Sequence, residues 1–133
     1  MPAARFPAFL ASDDTLRIYR GGKLVFSSKK DRLLPMMEYI AARENGQDSV
    51  LIYDKIMGNA AALLAVKAGA AGVFSPLGSE LAIKTLDRYG IKYRLTKIVP
   101  FIMREDGRAL CPLEQLSIGK SPEEFYEIMK TRI

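Results

Sequence analysis

The chain has 133 residues, 49% of them apolar and 26% charged, with a net charge of +5 and a pI near 9.4. That is the size of one domain able to bury roughly two-thirds of its unfolded surface, and the composition lies far from that of a disordered chain. With no histidine and a single cysteine, Cys111, a zinc site of the usual nitrogen and sulfur ligands cannot be assembled within one chain; no cofactor is implied, and a reducing, cytoplasmic compartment is expected.

The first residues, MPAARFPAFLASDD, hold one arginine and a few apolar residues broken by Pro7, so they lack the charged and apolar regions of a signal peptide. Residues 1–12 are read as an N-terminal extension of a single domain spanning 1–133. The longest apolar run, Ala60 to Val66, is too short to span a bilayer, so no membrane is expected. The basic residues are spread along the chain and the aromatics do not interleave with them, which argues against nucleic acid as a partner.

In TLRIYRGGKLVFSS, two strand-like runs at 15–20 and 23–28 flank Gly21-Gly22, glycines that accept the positive φ values of a two-residue hairpin turn. Asp31 then caps a helix with Leu33, Leu34, Met37, Ile40 and Ala41 at helical spacing, ending before Asn45-Gly46. SVLIY, 49–53, is a short apolar run suited to a central strand covered on both faces. A turn holding Asp54, Lys55 and Gly58 leads into a helix over 58–68 that stops at Gly69.

The strand AGVFS follows at 71–75, then a helix from Ser79 to Gly90, then IKYRLTK at 91–97, whose alternation places it near a sheet edge. Residues 98–133 read as an irregular segment and a last helix, in which Ser121, Pro122 and Glu124 form a capping box. The element order predicts an α/β chain: a three-layer α/β/α sandwich with a mixed sheet of about five strands and an N-terminal β-hairpin. Ligands in such sheets bind beyond the carboxyl ends of the strands, where Asp54 to Gly58 lies.

Two readings of that turn stand side by side. In one, Gly58 lets the backbone approach a ligand, Lys55 and the N–H groups of residues 58–60 hold an anion, and Asp54 receives a hydroxyl or amine. In the other, Asp54 caps the helix or pairs with Lys55, and Gly58 only permits a tight turn. Cys111 also divides: LCPLE sets it at an N-cap before Pro112, a place that lowers a thiol pKa, while Glu114 opposes a thiolate and no histidine offers a base. Arg104 and Arg108, around a turn at Asp106-Gly107, belong either to a lid or to a connector.

The phrases DKIMGNAAALL, IVPFI, the DG at 106–107 and CPLE, together with the element order, resemble a small family of bacterial and archaeal proteins of unknown function that have a cytidine-deaminase-like fold and lack the zinc ligands. The resemblance covers residues 12–132. True deaminases hold zinc between a His/Cys-Ala-Glu helix start and a Pro-Cys-x-x-Cys helix start; here Lys29 to Pro35 and Asp54 to Gly58 stand in those places. The resemblance implies a scaffold without deaminase chemistry, binding a small anionic or nucleotide-like molecule at the former metal site through Asp54, Lys55, Gly58, Asn59, Arg104 and Glu114. The alternatives are a thiol enzyme for sulfur or acyl transfer using Cys111, and a ligand-free oligomeric scaffold. A homodimer or higher homo-oligomer is expected from the edge-like strand and the apolar IVPFIM that follows it.

Overall fold

The structure is a computed structural model that describes residues 4–43 and 49–132. Residues 1–12, read as an extension, contain the short helix α1 (Arg5–Leu10). Strands β1 (Leu16–Arg20) and β2 (Lys23–Ser28) form the expected antiparallel hairpin, closing with Arg20 opposite Lys23. Of its two loop glycines only Gly21 takes a positive φ, +61°.

Helix α2 (Leu34–Ala42) starts later than the sequence suggests, and Asp31 does not cap it; Leu33 stands at the cap with no side-chain bond. Arg32 adopts φ +60°, which breaks the helical path, and Pro35 fits the first turn, where its missing N–H costs nothing. The stop expected at Asn45-Gly46 lies outside the described residues.

The chain continues through β3 (Val50–Asp54), α3 (Asn59–Lys67), β4 (Ala70–Ser79), α4 (Glu80–Arg88) and β5 (Lys92–Val99). Helices α5 (Pro112–Ser117) and α6 (Pro122–Lys130) complete it, α6 with both bonds of its capping box in place. Strand β4 runs well past the expected end at Ser75, through Pro76. The β3 ladder stops at Tyr53–Phe74, and contact resumes at Met57, whose N–H donates to Leu77 O at 2.8 Å and whose carbonyl accepts from Ser79 N–H at 3.1 Å. The missing N–H of Pro76 falls in that gap, so a proline sits in an inner strand without breaking a ladder bond on this side.

The sheet order is β2-β1-β3-β4-β5, with β1 antiparallel to both neighbours and β3, β4 and β5 parallel. The steps from β3 to β4 and from β4 to β5 go the same way across the sheet, and right-handed crossovers then place α3 and α4 on the same face. They pack on each other there, and α2, α5 and α6 pack on α3 as well. The core is built on that face: Leu16, Ile18, Val50, Ile52 and Val73 meet Met36, Ile40, Leu63, Leu64, Leu86 and Phe125, all buried.

Helix α3 is central because its surface is small. Ala60, Ala61, Ala62 and Ala65 are buried along with Leu63 and Leu64, which lets helices approach from several sides. On the opposite face Tyr53 stacks on Phe74 at 4.5 Å, and α1 lays Phe6 and Phe9 over them at 6.0–6.2 Å. No helix among the described residues is long and apolar enough to cross a membrane.

Candidate functional site

The turn from β3 into α3 lies at the carboxyl end of the parallel strands. Strand alternation sends the ring of Tyr53 to the α1 face and Asp54, opposite Leu16 in the ladder, to the face of the main core. Asp54 is half-buried. Its Oδ1 accepts a long bond of 3.4 Å from Ile56 N–H, and no cation pairs with it among the described residues. Burial pushes its carboxyl up to about 7, against the smaller pull of the Ile56 and Lys55 backbone N–H groups.

Lys55 is engaged elsewhere. Its ammonium donates to Ser12 O at 2.9 Å and lies 4.9 Å from the centre of the Phe9 ring, so it ties α1 to the sheet. It does not pair with Asp54 among the described residues. Asp54 does not cap α3 either; Gly58 occupies the cap position.

Gly58 has φ −82° and ψ 178°, a conformation any residue adopts. Its need for glycine is steric: a Cβ there would lie 2.9 Å from Ile102 Cγ1 and 3.0 Å from Glu114 Oε1. The body that approaches the turn is the protein's own later segment. Glu114 is only 2% exposed; its Oε1 accepts from Asn59 N–H at 2.6 Å and its Oε2 from Ile102 N–H at 2.7 Å. The N-terminus of α3, which one reading of the turn offers to an outside anion, meets a carboxylate from α5, a helix cap supplied from 55 residues away.

Asn59 extends this network through its side chain. Its Oδ1 accepts from the Thr85 hydroxyl, and its Nδ2 donates to Ser117 Oγ at 3.0 Å and Ser117 O at 3.3 Å. Ser117 in turn donates to Glu114 O at 2.6 Å. Helices α3, α4 and α5 are therefore joined by buried polar groups whose demands are met mutually. Thr85 and Ser117 carry no sequence signal as a pair; the one hint is a buried amide, Asn59, opening an otherwise apolar helix.

Cys111 occupies the N-cap of α5, but its thiol makes no cap bond; its N–H donates to Ile102 O at 2.9 Å and the residue is partly buried. Residues 103–110 close on themselves: Met103 bridges Leu110, and Arg104 N–H donates to Ala109 O at 2.9 Å. The Arg104 guanidinium lies 3.6 Å from the Asp106 carboxylate in the same loop. Beside the turn, Ile56, Leu77, Lys97, Val99, Phe101 and Met103 border an open, mainly apolar groove of 480 Å³. Among the described residues no three His, Cys, Asp or Glu side chains converge as a metal-binding group requires.

A family model described as "TM1506: Domain of unknown function (DUF1893)" matches residues 8–133. The crystal structure of a DUF1893 family protein (TM1506) from Thermotoga maritima is similar to this chain with a TM-score of 0.86 at 27% identity, covering 98% of this chain and 88% of that one. No curated protein matches the chain.

Proposed function

Since the chain belongs to the DUF1893 family, a domain of unknown function, we propose that it is a small-molecule binding protein on a cytidine-deaminase-like scaffold, with its ligand at the carboxyl end of β3. The element order supports the scaffold reading, as does a mixed sheet in which only β1 runs against its neighbours. In this reading the single helix α1 on the far face supplies the third layer of an α/β/α sandwich. Deaminase chemistry is not part of the proposal, because the two helix starts that bear the ligands in deaminases hold no His or Cys here.

The observation that carries the reading is Asp54: a half-buried carboxyl at a strand end, raised to about 7, with one long backbone bond and no paired cation among the described residues. A group so poised accepts two hydrogen bonds when ionised and donates one when neutral. It suits the N–H-bearing edge of a nucleotide-like ligand. The anionic part of such a ligand does not belong at the start of α3, where the Glu114 carboxylate already takes the Asn59 N–H.

The test is thermal stabilisation of the chain by a panel of nucleosides and free bases. At least one should raise the melting temperature of wild type and leave Asp54→Asn unchanged. Equal stabilisation of both proteins would move the site elsewhere.

Self-association belongs to the same reading. Ile56, Phe101 and Met103 are 50%, 41% and 43% exposed around the apolar groove, and a second copy of the chain is the occupant we propose for that rim. Edge-to-edge pairing of two β5 strands is opposed by Lys92, Arg94 and Lys97, which no acid on β5 offsets.

A further inference from the structure

A second concavity lies on the helical side of the molecule, between α4 and the turn joining α5 to α6. It has a volume of 330 Å³, with polar and apolar lining in similar measure, at the small end of the range for ligand pockets. Lys84 and Arg88 stand four residues apart on α4 and so project from the same side of it, and Lys120 comes from the opposite wall. None of the three takes part in an ion pair among the described residues. The Arg88 guanidinium lies 5.7 Å from the centre of the Tyr89 ring at the cleft edge. Asn59 and Thr85, bonded to each other, contribute to the lining from the buried network.

Three cations converging on one concave surface repel one another, and the cleft walls lower the dielectric through which they do so. The one carboxylate in the lining is Glu124. It accepts from Ser121 N–H at 2.9 Å in the α6 capping box and its charge also attracts Lys120, but one carboxylate against three cations leaves the surplus positive. A single halide or monoanion satisfies one cation. Linked phosphates, with several charged oxygens a few ångströms apart, satisfy all three.

We propose that this cleft is a binding site for a small molecule bearing two or more linked phosphates, gripped by Lys84, Arg88 and Lys120. The site is separate from Asp54, which does not line it, and it stands or falls independently of the ligand proposed there. An extended nucleic acid is not the occupant, because the cleft is small and Tyr89 is its one ring.

The experiment is titration of the full chain with inorganic pyrophosphate, ADP and adenosine, followed by amide resonances and calorimetry. Pyrophosphate and ADP should both bind and shift residues 84–89 and 118–121, with affinity falling as salt rises, while adenosine at the same concentration leaves those resonances unmoved. The double variant Lys84→Gln/Arg88→Gln, on an exposed helix face that tolerates glutamine, should weaken pyrophosphate binding about tenfold or more. Lys92→Gln, on β5, should not change it. The proposal is overturned if neither phosphate compound binds at about 1 mM, if Lys92→Gln weakens binding as much as the double variant, or if a single-stranded RNA binds and pyrophosphate does not.

Discussion

The Glu114 carboxylate accepts from the backbone N–H of Asn59 at 2.6 Å, so the first turn of the central helix is capped by a side chain from another helix. The same carboxylate holds Ile102 N–H at 2.7 Å, which pins the segment leading out of β5 against the α3 start. Glu114→Gln keeps the volume but turns an N–H donor toward one of these two N–H groups. It should destabilise the fold by about 1–3 kcal/mol in urea denaturation, and Glu114→Ala by more, since both donors are then buried without an acceptor. Unchanged stability in both variants would mean that the cap is not made in solution.

Gly58 should prove intolerant for a packing reason. An alanine methyl there meets Ile102 and Glu114 inside normal contact distance, and Gly58→Ala should cost about 1–3 kcal/mol. Because one of the two obstacles is the Ile102 side chain, Ile102→Ala in the same protein should recover part of the loss. A double-mutant cycle with no coupling would show that the clash is relieved by backbone movement instead.

Asp54 gives a pH dependence of defined sign. Its carboxyl is raised from 3.8 to about 7 in the fold, so its contribution to stability is fully present below about pH 4 and is lost as pH rises through 7. Asp54→Asn removes that loss. The variant should match wild type near pH 4 and exceed it by about 2 kcal/mol at pH 8, less than the full shift implies because the carboxyl is only partly buried and water relaxes around its charge. A wild type that is the more stable protein at pH 8 would show Asp54 ionised and well solvated.

Sedimentation tests the apolar rim. The wild-type chain at tens of micromolar should sediment as a dimer or larger species, and Phe101→Ser/Met103→Ser should shift it toward monomer without loss of fold, because both side chains are exposed. A wild type that is monomeric throughout would remove the second copy as occupant.

What could be read from the sequence was local. The hairpin at Gly21-Gly22, the helix start at Ser79, the stop at Gly90 and the Ser121–Glu124 capping box each depend on residues within a few positions of one another. The apolar run at 49–53 was legible for the same reason. The start of α2 was not, since the left-handed turn at Arg32 has no glycine to announce it.

The wiring around the turn was not legible. Asp54, expected in the turn, is instead the last residue of β3, Lys55 serves α1, and Gly58 yields to Glu114, which lies 55 residues beyond the Asn59 it caps. Glu114 was marked as a candidate ligand residue, and nothing in its neighbourhood in the chain says that its acceptors are already claimed. The cleft of Lys84, Arg88 and Lys120 is likewise assembled across a separation that periodicity does not span.

The aromatic seat of α1 has a consequence for synthesis. Phe6 and Phe9 leave the ribosome well before the rings they pack against, Tyr53 and Phe74, which belong to strands made later. Until residue 74 has emerged, the leading helix has no complete surface to dock on, and six residues are too few to hold a helix alone. Helix α1 therefore settles only after β3 and β4 have been made, and until then the nascent chain carries these rings exposed.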